Sequence, residues 1–198
     1  MKTILDLCGG TGAWSAPYKA AGYDVWIITL PEWDVRDFAR ELELKARGKP
    51  SLLKDMPLKV HGILCAPPCD HFAAIGARYW KAKDMDGRTD EAVAVVNACM
   101  AIVRYTRPEW WALENPKGRI QKLCSLGNAR LSFQPCDYGD PWTKRTILWG
   151  RFNPPAHAPV KSKGMHPALL KSGDGKTAKC DRSITPPGFA RAFFEANP

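Results

Sequence analysis

Three short stretches of this 198-residue sequence carry side chains that could do chemistry. The first is Cys8-Gly9-Gly10-Thr11-Gly12. Glycines let a backbone approach a ligand closely, and N–H groups at the start of a helix favour the polar groups of a cofactor. The pattern is not Gly-x-Gly-x-x-Gly and lacks the Lys-Ser/Thr of a phosphate loop, so a tight turn without a ligand fits the same residues. The second is Cys69, behind Pro67 and Pro68. A thiolate on a rigid loop is a nucleophile, although a cysteine that merely stands beside a proline turn has the same neighbours. The third is Glu114-Asn115-Pro116. A carboxyl group in an apolar pocket keeps a raised pKa and can donate a proton, whereas a helix-capping or surface acid stays ionised. Trp110, Trp111 and Leu113 lead into Glu114 and favour the buried reading.

The elements that must position these residues follow from the spacing of apolar positions and turn formers. Residues 3–7 read as a buried strand entering the glycine stretch, and residues 13–21 as a helix with Pro17 near its first turn. Residues 24–29 read as a second strand. This order opens a doubly wound α/β sheet. Residues 38–48 have helical composition, and residues 60–65 form a strand that stops at Ala66-Pro67-Pro68. Apolar positions recur at helical spacing over 89–105, behind Asp90 and Glu91. Residues 110–113 read as a strand, 131–136 and 145–151 as two more joined by a turn, and 187–196 as a short helix. Cys69 and Glu114 therefore both leave strands at the carboxyl edge of the sheet, where ligands bind in open α/β folds.

Composition narrows the class of protein. Hydrophobic residues make up 45% and charged residues 25%, which excludes disorder, collagen and coiled coil. No apolar run reaches the ~18 residues of a membrane span, and the chain enters its first strand at once, which predicts no signal peptide. A net charge of +9 favours a polyanionic partner. The seven cysteines include no Cys-x-x-Cys pair, so reduced thiols fit better than zinc or disulfides, and no metal is expected. Residues 153–181 are rich in Pro, Gly, Lys and Ser without periodicity. The expected organisation is a catalytic unit over 1–152, a basic segment over 153–181 and a returning C-terminal piece over 182–198.

Together these stretches resemble the DNA cytosine C5-methyltransferases. Asp6-Leu7-Cys8-Gly9-Gly10-Thr11-Gly12-Ala13-Trp14-Ser15 is similar to the family's cofactor motif, with Cys8 where an aromatic residue is common. Pro68-Cys69-Asp70-His71-Phe72-Ala73 resembles the Pro-Cys-Gln-x-Phe-Ser nucleophile motif, and Glu114-Asn115-Pro116 the Glu-Asn-Val motif. Tyr138-Gly139-Asp140-Pro141 with Thr143-Lys144-Arg145-Thr146 resembles the late Tyr-Gly-x-Pro-Gln-x-Arg-x-Arg motif, and Arg182-Ser183-Ile184-Thr185-Pro186 the final Asn-Ser-Val-x-Pro motif. The motifs keep the family's order from residue 6 to residue 186.

The resemblance implies a Rossmann-like methyltransferase fold, a mixed and mostly parallel sheet with helices on both faces, that uses S-adenosylmethionine. It implies that Cys69 attacks C6 of cytosine while Glu114 protonates or hydrogen-bonds N3. Asn115 would hold the loop carrying Glu114, and Arg145, with Lys144, would bind near the base or phosphate. The cofactor would lie against Asp6, Leu7, Cys8, Gly9, Gly10, Thr11, Gly12, Trp14, Pro67, Ser183 and Thr185. Thr29-Leu30 stands where the family places an acid for the ribose, with Glu32 nearby, and Asp34-Val35 fits the adenine side. The stretch between Gly150 and Ser183 is much shorter than the family's target-recognition domain. Its Lys161, Lys163, Lys171 and Lys176 would neutralise DNA phosphates with little base readout, or form a solvated loop. The expected protein is a compact, phage-like enzyme acting on DNA as a monomer or weak oligomer in a bacterial cytoplasm, with no membrane partner. The alternatives are the same chemistry on RNA or a free cytosine nucleotide, or an idle nucleic-acid-binding protein.

Overall fold

In a computed structural model, residues 1–165 and 184–198 are described. The elements in chain order are β1 (Thr3–Leu7), α1 (Ala16–Ala20), β2 (Asp24–Ile28), α2 (Val35–Ala46), β3 (Gly62–Cys65), α3 (Trp80–Met85), α4 (Arg88–Thr106), β4 (Trp110–Pro116), α5 (Ile120–Cys124), β5 (Leu131–Phe133), β6 (Thr146–Arg151) and α6 (Pro187–Ala196). One six-stranded sheet runs β2-β1-β3-β4-β6-β5. The first four strands are parallel, and β6 is antiparallel to both β4 and β5. The fold is the mixed, mostly parallel α/β sheet that the sequence implies.

Side chains alternate across the strands, as a pleated backbone requires. Ile4, Leu64, Ala112 and Leu148 point to one face, where Trp14, Tyr18, Phe189 and Phe193 cover them. Leu5, Leu7, Ile63, Cys65, Leu113 and Trp149 point to the other, against α2 and α4. Helix α2 buries Val35, Phe38, Ala39 and Leu42, a stripe at helical spacing, and Asp34 caps it by accepting from the Arg36 N–H at 2.8 Å. Helix α6 buries Phe189 and Phe193, each contributing roughly 1.5–3 kcal/mol. Its end is fastened by Tyr18, whose hydroxyl donates to the Asn197 carbonyl at 2.9 Å. Among the described residues no helix is long and apolar enough to cross a membrane.

The sheet order positions the site. From β1 the chain crosses to β2 on one side, and β3 then enters on the other, so a crevice opens beyond the carboxyl ends of β1 and β3. The glycine stretch leaves β1 there, and the Cys69 loop leaves β3 beside it.

Several expected boundaries move. The strand expected over 131–136 ends at Phe133 and gives way to a 3₁₀ turn at Pro135–Asp137. The strand expected over 60–65 begins at Gly62, and the helix expected over 13–21 narrows to Ala16–Ala20. Helix α2 begins at Val35 rather than 38, because Asp34 caps it. Strand β4 continues through Pro116, because β6 pairs with it as far as Pro116↔Thr146. The segment that sequence periodicity left blank after Cys69 holds a 3₁₀ turn at Ala74–Tyr79 and then α3.

Candidate active site

Asp6, on β1, is fully buried beneath the glycine stretch. The Ser15 hydroxyl donates to one carboxylate oxygen at 2.5 Å, and the other oxygen has no partner among the described residues. Burial pushes the Asp6 pKa up to about 6 against the lowering effect of Ser15. Gly9 lies directly over this carboxylate: a Cβ there would sit 2.3 Å from Asp6 Cγ. Gly12, at φ +72°, would drive a Cβ to 2.5 Å from Ile27. Gly10 and Thr11 stand exposed above them. The loop is a backbone cradle that side chains would fill.

Cys8 is half-buried at the start of this loop. Its thiol faces that of Cys99, which in turn meets Cys65, and both of the latter are fully buried. The neighbouring Cys99 thiol first, and burial second, hold Cys8 far above an ordinary thiol pKa. Cys8 and Cys99 are thus held protonated, whereas Cys69 is exposed beside Lys144, which draws its thiol towards the thiolate.

Cys69 is exposed on its solvent side. The protein packed around its thiol raises the pKa, with Glu114 and Asp70 adding to the rise and Lys144 opposing it. Glu114 also titrates above an ordinary carboxyl group, because burial outweighs the nearby Lys144 ammonium. Three charges or potential charges from three separate segments therefore converge. Lys144 comes from the segment just before β6, whose pairing with β4 begins at Pro116↔Thr146. A small cavity here is lined by Glu114, Lys144, Thr146 and Thr185, with Phe133 and Phe189 as its apolar wall.

The Cys69 loop is held by neighbours. Asn115 is fully buried and donates from Nδ2 to the Pro67 carbonyl at 3.0 Å, so it ties the stretch carrying Glu114 to the loop carrying Cys69. Lys83 of α3 donates to the Asp70 carbonyl, and Arg119 donates from Nε to the His71 carbonyl at 3.0 Å. Neither Lys83 nor Arg119 stands out in the sequence. The Arg119 bond joins residues 48 apart, and local periodicity carries no signal of such a contact.

The remaining expected site residues fall into groups. The Leu7, Trp14 and Val35 side chains are buried in the two cores, with Trp14 edge-on to Phe193 at 5.4 Å, so they face no ligand. Thr29 and Leu30 follow β2 at the same edge, half-buried and exposed respectively. The Asp34 carboxylate caps α2 and is engaged by the Arg36 guanidinium, which lowers its pKa. Arg145 is exposed and reaches Ser132 at 3.3 Å. Lys161 and Lys163 are exposed. Ser183, Lys171 and Lys176 lie outside the described residues.

No family model and no curated protein matches the sequence. Solved structures do. The chain superposes on a crystal structure described as a DNA modification methyltransferase encoded within an E. coli prophage, with a TM-score of 0.50 and 18% identity over 88% of this chain and 56% of that one. It also matches the Entamoeba histolytica methyltransferase EhMeth, with a TM-score of 0.46 and 16% identity over 89% of this chain and 61% of that one. The chain has the methyltransferase fold. It spans only about 56–61% of the length of these structures. Within this fold, the glycine stretch leaves β1 and the Cys69 loop leaves the adjacent β3, while Glu114 on β4 and Lys144 before β6 act on Cys69 electrostatically.

Proposed function

We propose that the chain methylates C5 of cytosine in DNA, with S-adenosylmethionine as methyl donor and Cys69 as covalent nucleophile. The observation that carries this reading is that Glu114 and Lys144, from two other segments, line one small cavity and act electrostatically on Cys69. The Cys69 loop leaves β3 beside the strand that leads into the glycine stretch. The sequence resemblance supports it independently, because the same residues fall in the family's motifs.

The residues present fit the cofactor. Gly9 and Gly12 bring bare backbone against Asp6 and Ile27, where a Cβ would clash, and the buried Asp6 has an oxygen still to be satisfied. Asp6, Cys8, Gly9, Gly10, Thr11 and Gly12 would hold it from below, with Pro67 and Thr185 at the sides. When bound, S-adenosylmethionine supplies an electrophilic methyl group.

The chain's own residues then act in sequence. Cys69 gives up its proton to water, and its sulfur bonds to C6 of a cytosine flipped from the stack, as duplex bases must be for such enzymes. As that bond forms, the C5–C6 π bond opens and its electron pair moves into the ring. Glu114, kept protonated to a higher pH than an ordinary carboxyl group, donates towards N3 and takes up the charge that the attack places on the ring. Lys144 draws the thiol towards its thiolate form. Once C5 carries the methyl group, loss of the C5 proton restores the ring double bond, and the Cys69–C6 bond breaks with the electron pair returning to sulfur.

The test is methyl transfer to cytosine-containing duplexes, single strands, RNA and dCMP, measured side by side. Cys69→Ser should abolish turnover while leaving cofactor binding near wild type, because Cys69 is not part of the glycine cradle. A 5-fluorocytosine duplex should trap an adduct at Cys69, since fluorine cannot leave as a proton does. An adduct mapped to Cys65, or one formed by Cys69→Ser, sinks the assignment. Transfer to dCMP or RNA alone moves the same chemistry to another substrate. No transfer to any of them leaves a nucleic-acid-binding protein.

A further inference from the structure

The β3–β4 ladder ends at Cys65↔Leu113, before either reactive residue is reached. Beyond that point the two chains are joined by a different set of bonds. Asn115 reaches Pro67, the Ala74 N–H donates to the Lys117 carbonyl at 2.9 Å, and the Arg119 N–H donates to the Phe72 carbonyl at 2.9 Å. Gly118 bridges Ala73, and a Cβ on Gly118 would lie 1.9 Å from the Phe72 oxygen, so the two segments touch backbone to backbone.

The Arg119 side chain gathers the rest. Nε donates to the His71 carbonyl at 3.0 Å, Nη1 and Nη2 reach the two oxygens of Asp84 at 2.8 and 2.7 Å, and Nη2 also meets Thr89 Oγ1 at 2.9 Å. The guanidinium lies 4.6 Å over the Trp80 ring. Trp80 and Asp84 belong to α3, and the same helix supplies Lys83 to the Asp70 carbonyl. Arg119 therefore grips the nucleophile loop directly at His71 and Phe72, and indirectly by fixing the helix that holds Asp70. Its side chain is only 13% exposed. Only a planar fork meets a carboxylate with two nitrogens and a carbonyl with a third.

We infer that Arg119 is a positioning residue that holds Cys69 in register with Glu114. This rests on the proposed function for its catalytic consequence, but the positioning can be read without substrate. The readout is the pH dependence of Cys69 alkylation by iodoacetamide, followed by mass spectrometry of the Cys69 peptide, with no cofactor or DNA present. In the intact loop the surrounding protein, Glu114 on β4 and Asp70 in the loop itself raise the thiol pKa, while Lys144 before β6 lowers it. Arg119→Lys keeps the charge but loses the fork. It should let the loop move away from Glu114 and admit water, so the Cys69 pKa falls towards its ordinary value and alkylation at a fixed pH below it speeds up. In turnover, kcat should drop ~10–100-fold with cofactor affinity unchanged. Asp84→Asn frees the fork from the other end at a half-exposed position and should give a smaller shift of the same sign; it carries the test if Arg119→Lys does not fold. Wild-type alkylation profiles in folded Arg119→Lys and Asp84→Asn overturn the inference. Shifted profiles with no methyl transfer by the wild-type chain would keep the inference and remove the proposed function.

Discussion

The glycine loop after β1 and the Cys69 loop after β3 leave adjacent strands at one edge of the sheet, and opposite means hold them. The glycine loop is fixed from within: Asp6, Ser15, Gly9 and Gly12 lie within ten residues of one another and pack on each other. The Cys69 loop is fixed from outside, by Asn115, Lys83 and Arg119, which the fold brings from distant parts of the chain. A local cradle suits a site that must present bare backbone. A nucleophile that must meet a carboxyl group on another strand needs ties to that strand. The contrast implies that the two functions can be damaged separately.

Two glycine substitutions give the largest separation. Gly9→Ala forces a Cβ into the Asp6 carboxylate, and overpacking of this kind costs ~1–3 kcal/mol. It should lower the melting temperature and abolish cofactor binding in titration calorimetry. Gly118→Ala forces a Cβ into the Phe72 carbonyl and pushes the two catalytic segments apart. It should cut kcat by ~100-fold, the effect expected of an ångström-scale misplacement, while cofactor affinity stays within about twofold. If Gly118→Ala lost cofactor binding as well, the two loops would be one unit and the comparison would fail.

Charge substitutions within the cluster come next. Glu114→Gln removes a negative charge beside Cys69, so the thiol pKa should fall. Lys144→Gln removes the opposing positive charge, so it should rise. Shifts in opposite directions in the alkylation profile can come only from a shared electrostatic site, since general loosening would move both the same way. Glu114→Gln should also lower kcat by ~10²-fold or more if it serves as the acid. A Glu114→Gln enzyme with wild-type kcat would remove it from that role.

The same contrast explains what the sequence made legible. The glycine loop is local, so its strand, turn and helix are visible in consecutive residues, and Cys69 and Glu114 stand out because each ends a strand. Helix α6 is visible for the same reason, through Phe189 and Phe193 on one face. The supports of the Cys69 loop are not local. Helix α3 has an exposed, mixed surface, with Met85 80% exposed, and so offers no apolar period to read. Arg119 follows the Glu-Asn-Pro stretch like any surface cation, and only the folded chain shows it buried against His71, Trp80 and Asp84. The motif offers both Lys144 and Arg145, and only the folded chain shows Lys144 lining the cavity with Glu114 while Arg145 turns to Ser132.

Asp6 offers a smaller test of the inward-held loop. Its folded pKa of about 6 lies above the 3.8 of an unperturbed aspartate. The sign follows from the raised value: below the unfolded pKa both states hold the proton, and the full stability is present. As the pH rises through about 6 the buried group must ionise, and stability falls by at most ~3 kcal/mol, at about 1.4 kcal/mol per unit. Asp6→Asn cannot ionise. Its stability in urea, relative to wild type, should therefore improve between pH 4 and pH 7.5. A constant difference across that range would mean that Asp6 titrates normally and the loop is held some other way.

The smallest expected effect lies at the rim, where a third kind of support appears. The described residues 153–165, which carry Lys161 and Lys163, include no helix or strand, yet their backbone follows the turn before β6. The Lys163 N–H donates to the Pro141 carbonyl at 2.8 Å, and the Thr143 N–H donates to the Gly164 carbonyl at 2.8 Å. Both lysines are thus presented next to the turn that delivers Lys144, but on exposed side chains that supply charge without a rigid reading element. If they meet phosphates of the proposed DNA substrate, each contributes roughly −0.9 to the slope of log affinity against log salt. Lys161→Ala with Lys163→Ala should flatten that slope by roughly 1.8 units and weaken binding equally on all sequences, with kcat at saturating DNA unchanged. Methylation mapped across a genome should then fall in many sequence contexts. A long, strictly defined target with an unchanged salt slope in the double variant would put DNA recognition elsewhere in the chain.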